Sequence, residues 1–180
     1  MIDVNHYVAE EILRDGRHAT IRTMRADDRE RVAAAIRQLD RESIYTRLFT
    51  YRKELTEAGL TRIMTVDPER EAALLVTIDG PSGEIVIGSA RYVAGDARAD
   101  GRTAEIAFVV EEDYQGLGIA GRLLKHLAAI ARERGITEFE ADVLPDNKAM
   151  LSVFARSGLP MRQRREGGVS HVELALAAAS

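Results

Sequence analysis

The chain holds 180 residues, 46% hydrophobic and 30% charged, with a net charge of −4 and no cysteine. This is the size and balance of one domain with an adequate core; it excludes disulfides, thiolate metal sites and cysteine nucleophiles, and it argues against broad nucleic-acid binding. The first residues lack the basic region and apolar run of a signal peptide, and no stretch approaches the ~20 apolar residues of a membrane span, so the expected setting is cytoplasmic, as a monomer or homodimer.

Residues 1–18 are mixed and polar, with a turn signal at Asp15-Gly16, and read as an extension or a first hairpin arm. Ala19–Thr23 follows as a strand. Ala26-Asp27-Asp28 offers an N-cap for a helix carrying Val32, Ile36 and Leu39. Asp40 caps a second helix with Ile44, Tyr45 and Leu48. A third starts near Thr56, buries Leu60, Ile63 and Met64, and ends by Pro68. Ala72–Ile78 and Ile85–Val93 form a hairpin across Gly80-Pro81-Ser82-Gly83. Asp96–Gly101 is a polar loop before the apolar, β-branched strand Ala104–Val110. Beyond the polar exit Glu111–Gln115, Ile119, Leu123, Leu124, Leu127, Ile130 and Ala131 recur at helical spacing. Arg122, Lys125, His126, Arg132 and Glu133 fall on the other face, where His126 is expected to be solvated. Gly135 suits a C-cap. Phe139–Leu144 is a strand, and Pro145-Asp146 opens a helix with Met150, Leu151 and Phe154 that closes at Gly158. Met161–Arg165 and Val169–Leu176 pair across Gly167-Gly168. The order is α+β: helices early, a meander of strands, then strand-helix-strand-helix-strand. Residues 19–180 read as one domain.

The strand at Ala104, the glycine-bearing turn and the helix after it make an anion site. The first amides of a helix lack intrahelical partners, and its dipole adds partial positive charge. Gly116 and Gly118 allow sharp turning and close approach, so the turn is expected to hold a phosphate or pyrophosphate. Gly116, Gly118 and Gly121 also spell the dinucleotide pattern G-x-G-x-x-G, with Glu138 and Glu140 about 20 residues on. Five polar residues separate these glycines from the strand, however, and too little chain follows for a second mononucleotide half. No Walker-type Gly-Lys-Ser/Thr is present, and the histidines show no metal spacing, so no metal is expected.

Gln115-Gly116-Leu117-Gly118-Ile119-Ala120 after an apolar strand resembles the acyl-CoA signature of the GNAT acetyltransferase superfamily. Asn147–Leu159 resembles that superfamily's Asn-led helix ending in glycine and an apolar residue. Leu13-Arg14-Asp15-Gly16, Ile21-Arg22, Glu42–Phe49, Ala104-Glu105-Ile106-Ala107 and Gly167-Gly168 resemble the acetyltransferase domain of the bacterial protein lysine acetyltransferase (Pat) family. The resemblance implies a GNAT-like mixed, mostly antiparallel, V-shaped sheet splayed at its centre and flanked by helices, with acetyl-CoA in the split. Amides from Gly116 to Ala120 would hold the pyrophosphate, with Gln115 neutral where many relatives carry arginine. The edge at Phe108, Val109 and Val110 would pair with pantetheine as an added strand does, which requires the sheet to splay after Val110. Asn147 would bond the pantetheine arm and Phe154 would lie beside the thioester sulfur.

An amine acceptor, a protein lysine or a small molecule, has to lose a proton before it attacks the thioester. Glu105, mid-strand among apolar neighbours, is expected to be buried with a raised pKa, and it matches the glutamate taken as general base in the lysine acetyltransferase relatives. The competing reading is a surface residue, or one salt-bridged to Arg91 or Arg102. Asn147 also suits a plain helix cap, and Phe154 and Met150 suit the core. Phe154 stands where many relatives carry a tyrosine acid and cannot donate a proton. Three functions follow: an N-acetyltransferase acting by direct attack in a ternary complex, a CoA-binding regulatory module without turnover, and a dinucleotide-binding oxidoreductase.

Overall fold

A computed structural model describes residues 3–38, 56–111, 114–144 and 147–176. The strands are β1 (Val8–Ile12), β2 (His18–Thr23), β3 (Glu71–Gly80), β4 (Gly83–Ala94), β5 (Thr103–Val110), β6 (Glu138–Val143), β7 (Met161–Glu166) and β8 (Val169–Ala175). The helices are α1 (Arg29–Arg37), α2 (Glu57–Met64), α3 (Ile119–Glu133) and α4 (Lys148–Ala155). The strands form one sheet in the order β1-β2-β3-β4-β5-β6-β8-β7. Neighbours are antiparallel except β5 and β6, which run parallel. The helix expected from Asp40, and the Glu42–Phe49 segment, lie outside the described residues.

Two apolar layers explain the sheet's position. Leu74, Val76, Ile87, Ala90 and Tyr92 pack with the buried stripe of α3 and with Phe154 of α4. Leu75 and Val86 pack the opposite way, against Val32 and Ala33 of α1 and Leu60 of α2. Strand side chains alternate faces, so β3, covered on both, is buried without a break from Ala72 to Ile78, apolar but for Thr77. β7 lies at the rim and stays exposed beyond Met161. The α+β sheet, open at its centre, is the architecture that the element order and the resemblance implied.

A buried ion pair fastens β2 to the start of α1. Arg22 Nη1 and Nη2 donate to the two oxygens of Asp28 at 2.8 and 2.7 Å, and the Arg25 amide donates to Asp28 Oδ2 at 2.7 Å. Arg22 Nε donates to Glu84 of β4 at 3.1 Å. Asp28 is fully buried. Burial alone would raise its pKa, but the Arg22 guanidinium and the Arg25 amide reverse the effect and hold it below the usual carboxylate value. A depressed folded-state pKa contributes stability above the unfolded value of ~3.9, and that stability is lost as pH falls through the folded value. Removing one partner strands the other charge, so Asp28→Asn is expected to cost about 3–5 kcal/mol. Urea unfolding at pH 7 and at pH 3 measures this; the gap between the two proteins should narrow in acid, and a loss at pH 7 below about 1 kcal/mol, the size of a surface pair, would rule the pair out as an anchor.

Candidate functional site

The site begins where the sheet divides. β5 stays paired with β4 as far as Val110, but pairs with β6 only over Thr103, Ala104 and Glu105. From Ile106 to Val110 the edge facing β6 therefore has no strand beside it. The opening starts after Glu105, five residues earlier than the splay expected after Val110. The reason lies in α4. Phe154, 1% exposed, packs edge-on against Phe108 of β5 with ring centroids 6.1 Å apart. The helix that follows β6 thus docks on the stretch of β5 that β6 leaves.

Beyond β5 the backbone turns through Gly116 and Gly118, both with φ of +82°. Such values are strained for any residue with a Cβ. Gly118 is also the N-cap of α3 and supplies no side-chain cap. The first intrahelical bond is Arg122 N to Gly118 O, 3.2 Å, so the α3 amides before it are left without helical partners. α3 has 15 residues, enough to add the partial positive charge of a helix N-terminus at the turn.

Open edge and turn share one groove of about 1080 Å³. Of the residues expected to bind the cofactor, Phe108, Val109, Val110, Gln115, Gly116, Gly118, Ile119, Ala120 and Asn147 line it; Leu117 and Phe154 do not. Leu117 packs on the core, and Phe154 is core throughout. Asn147 is the N-cap of α4, its Oδ1 accepting from Met150 N at 3.2 Å, so the capping reading holds while the residue also faces the groove. The groove adds residues that are not among those expected to bind the cofactor, including Arg14, Tyr114, Arg122, Lys125, Arg132 and Arg156. Lys125 and Arg132 sit along the polar stripe of α3, and that stripe was the available signal. Arg14 comes from a hairpin distant in the chain, where the Leu13-Arg14-Asp15-Gly16 resemblance marks it without assigning it a role.

Two expectations are corrected. Glu105 is exposed, not buried: alternation along β5 sends Ala104 and Ile106 into the core and Glu105 to the opposite face, in register with Val93 and Glu140. The described residues place neither Arg91 nor Arg102 in an ion pair with it; Arg91 donates to Ile63 O and Arg102 Nε to Gly95 O. His126 is not solvated. Its side chain is 12% exposed, with Nε2 2.7 Å from Glu11 Oε1 and Nδ1 2.5 Å from Tyr7 Oη. The ring thus bridges Glu11 and Tyr7 through its two nitrogens. The polar face of α3 is covered here by the N-terminal strand.

The face of β6 and β8 beside Glu105 is acidic. Glu140 and Glu173 are in register with each other and with Glu105. Burial, then the nearby Glu173 carboxylate, raises the Glu138 pKa. Glu140, His171 and Glu173 bring ligand-type atoms within 4.8 Å of one another, which histidine spacing in the sequence did not suggest. Two of the three already have partners: Asp142 accepts from His171 Nδ1 at 2.7 Å and raises its pKa, and Arg162 holds Glu173 at 2.7 Å.

A family model described as the acetyltransferase (GNAT) family matches residues 33–159. The chain belongs to the GNAT acetyltransferase family. It is 33% identical over 151 residues to acetyltransferase PA5475 of Pseudomonas aeruginosa, covering 83% of this chain and 77% of that protein. Among solved structures, the GNAT domain of S. lividans PAT is 36% identical with a TM-score of 0.84, covering 94% of this chain and 97% of that one. YncA from Salmonella typhimurium, a putative acetyltransferase solved with its cofactor acetyl-CoA, shares the fold at 20% identity and a TM-score of 0.69, covering 90% and 96%. The oxidoreductase reading falls with this result. A single parallel pair in a mostly antiparallel sheet is not the doubly wound platform on which G-x-G-x-x-G binds a dinucleotide. No helix among the described residues is long and apolar enough to cross a membrane.

In this GNAT chain, Gly118 is the stricter of the two turn glycines. A Cβ at Gly116 would meet nothing within 4 Å, whereas one at Gly118 would lie 2.3 Å from Arg122 Nη1 and 3.3 Å from Arg14 Nε. Gly118→Val is expected to combine backbone strain of about 1–3 kcal/mol with displacement of those arginines. Calorimetric titration should show acetyl-CoA affinity reduced at least tenfold while circular dichroism reports a folded protein. Wild-type affinity in this variant would dissociate the turn from the ligand.

Proposed function

We propose that this GNAT acetyltransferase moves an acetyl group from acetyl-CoA to a primary amine, with a protein lysine as the acceptor. The observation that carries the reading is the junction of the unpaired β5 edge with the uncapped turn in one groove. Pantetheine carries amides that an open strand edge can pair with, and its diphosphate suits free helix-start amides. Phe108, Val109 and Val110 are the edge, Gly116 to Ala120 the turn, and Asn147 closes the groove from α4. Acetyl-CoA accompanies the fold in YncA, and the likeness to the PAT domain supports a protein acceptor.

Chemistry is direct attack. The neutral amine nitrogen bonds to the thioester carbonyl carbon, the C–S bond breaks, and CoA leaves as the thiolate. The amine proton passes to Glu105, at the last β5–β6 pair before the split, directly or through one water. Exposure of Glu105 on the face away from α3 leaves it accessible to an acceptor arriving from solvent. Glu140 and Glu173 on the same face favour a cationic approach. Phe154 supplies no proton to the thiolate, which at a thiol pKa of ~8.5 is a tolerable leaving group and is protonated by solvent.

Glu105→Gln is expected to keep acetyl-CoA affinity within about twofold and to lower kcat by about 10²–10⁴ at neutral pH, the range of general base catalysis. The assay is free-thiol release with a lysine-peptide and small-amine panel. Unchanged kcat would remove Glu105 from proton transfer. CoA binding without thiol release on any acceptor would favour a regulatory module.

A further inference from the structure

The hairpin between β1 and β2 is clasped to the phosphate-binding turn from both sides. The Arg14 amide donates to Leu117 O at 3.3 Å, and Arg14 Nη1 donates to Gly116 O at 3.2 Å. In the other direction Arg122 Nη2 donates to Ile12 O at 2.8 Å. The Arg17 guanidinium lies over the Tyr114 ring, 4.9 Å from its centroid. This hairpin precedes residues 33–159, the part of the chain that the family model matches.

The electrostatics of the turn are incomplete without it. A diphosphate brings about two negative charges at neutral pH, while a helix N-terminus offers roughly half a positive charge. Gln115 is neutral and turns its Nε2 toward Val110 O, 3.4 Å away. Arg122 is committed: Nη1 donates to Leu117 O and Gly118 O, and Nε faces Glu11 at 3.5 Å. Arg17 is paired with Asp15 at 2.7 Å. Lys125 and Arg132 enter α3 about 9 and 20 Å along the axis from Ile119. Arg14 differs from Arg122 and Arg17 in its pairing, and from Lys125 and Arg132 in lying at the turn itself. It is exposed, lines the groove, and has no carboxylate partner among the described residues. Its Nε sits 3.3 Å from where a Cβ on Gly118 would be, beside the amides that start α3.

We propose that Arg14 is the cation that binds the diphosphate of the acyl-CoA, delivered to the turn by the β1–β2 hairpin. The inference rests on the acetyl-CoA reading above and makes the N-terminal hairpin part of the cofactor site. The Gly116 carbonyl orients the guanidinium at the groove wall, and a guanidinium is a planar fork of donors suited to phosphate oxygens.

The test is calorimetric titration of the full chain with CoA, dephospho-CoA and S-acetyl-pantetheine, together with thermal unfolding. Arg14→Gln is expected to weaken CoA and dephospho-CoA alike by about tenfold or more, the worth of a charge-assisted hydrogen bond. S-acetyl-pantetheine, which lacks the diphosphate, should bind within about twofold of wild type, a factor worth only a few tenths of a kcal/mol. Gln115→Arg added to Arg14→Gln should restore most of the CoA affinity, and Arg14→Lys, which keeps the charge, should retain more of it than Arg14→Gln. CoA affinity unchanged in Arg14→Gln, an equal loss on all three ligands, or an Arg14→Lys loss as large as that of Arg14→Gln would overturn the assignment and leave Arg14 a structural brace. Wild-type protein that fails to bind CoA would instead overturn the cofactor reading, before any variant is compared.

Discussion

One strand edge left without a partner governs this molecule. A buried sheet normally satisfies its backbone amides and carbonyls strand to strand, and an exposed edge invites pairing by another chain. β5 meets that requirement along β4 but gives it up toward β6 after Glu105. The Phe108–Phe154 contact holds α4 beside the opening. The gap is therefore maintained by packing, and its vacant hydrogen-bonding row is a template of fixed spacing for an extended, amide-bearing ligand. The turn at Gly116 and Gly118 sets the other end, because it aims the start of α3 into the same groove.

The two ends are supported differently. The α4 end of the groove depends on apolar contact between α4 and β5, which is insensitive to ionic strength. The turn end of the groove depends on polar clasps between segments far apart in sequence: Arg14 and Arg122 across the turn, and Tyr7–His126–Glu11 beside α3. The second layer under α1 and α2, fastened by Arg22 and Asp28, keeps β2 and β4 in place behind both.

The residue pattern made much of this legible. Buried stripes at helical spacing located α3, and the run Ala72–Ile78 located a strand covered on both faces. The glycines located the sharp turn before α3 because positive φ imposes residue choices that survive in a single sequence. Other features left no such mark. Glu105 sits among apolar neighbours in the chain, but alternation places them on one face and the carboxylate on the other, so linear context suggested a burial that geometry denies it. His126 lies on the polar side of its helical wheel, yet the strand laid over that side covers it. The register at which β6 leaves β5 is set by where α4 docks, a tertiary constraint with no local signal. Arg14 reaches the turn only because a hairpin folds back across the sheet.

Amide hydrogen exchange with and without saturating CoA tests the central claim most directly, since it reports on the backbone groups themselves. The expected result is slowed exchange confined to Ile106–Val110 and to the amides from Gly116 to Gly121, with β7 and β8 unchanged. Unaltered exchange at both segments under saturating CoA, or protection located elsewhere in the fold, would contradict the account.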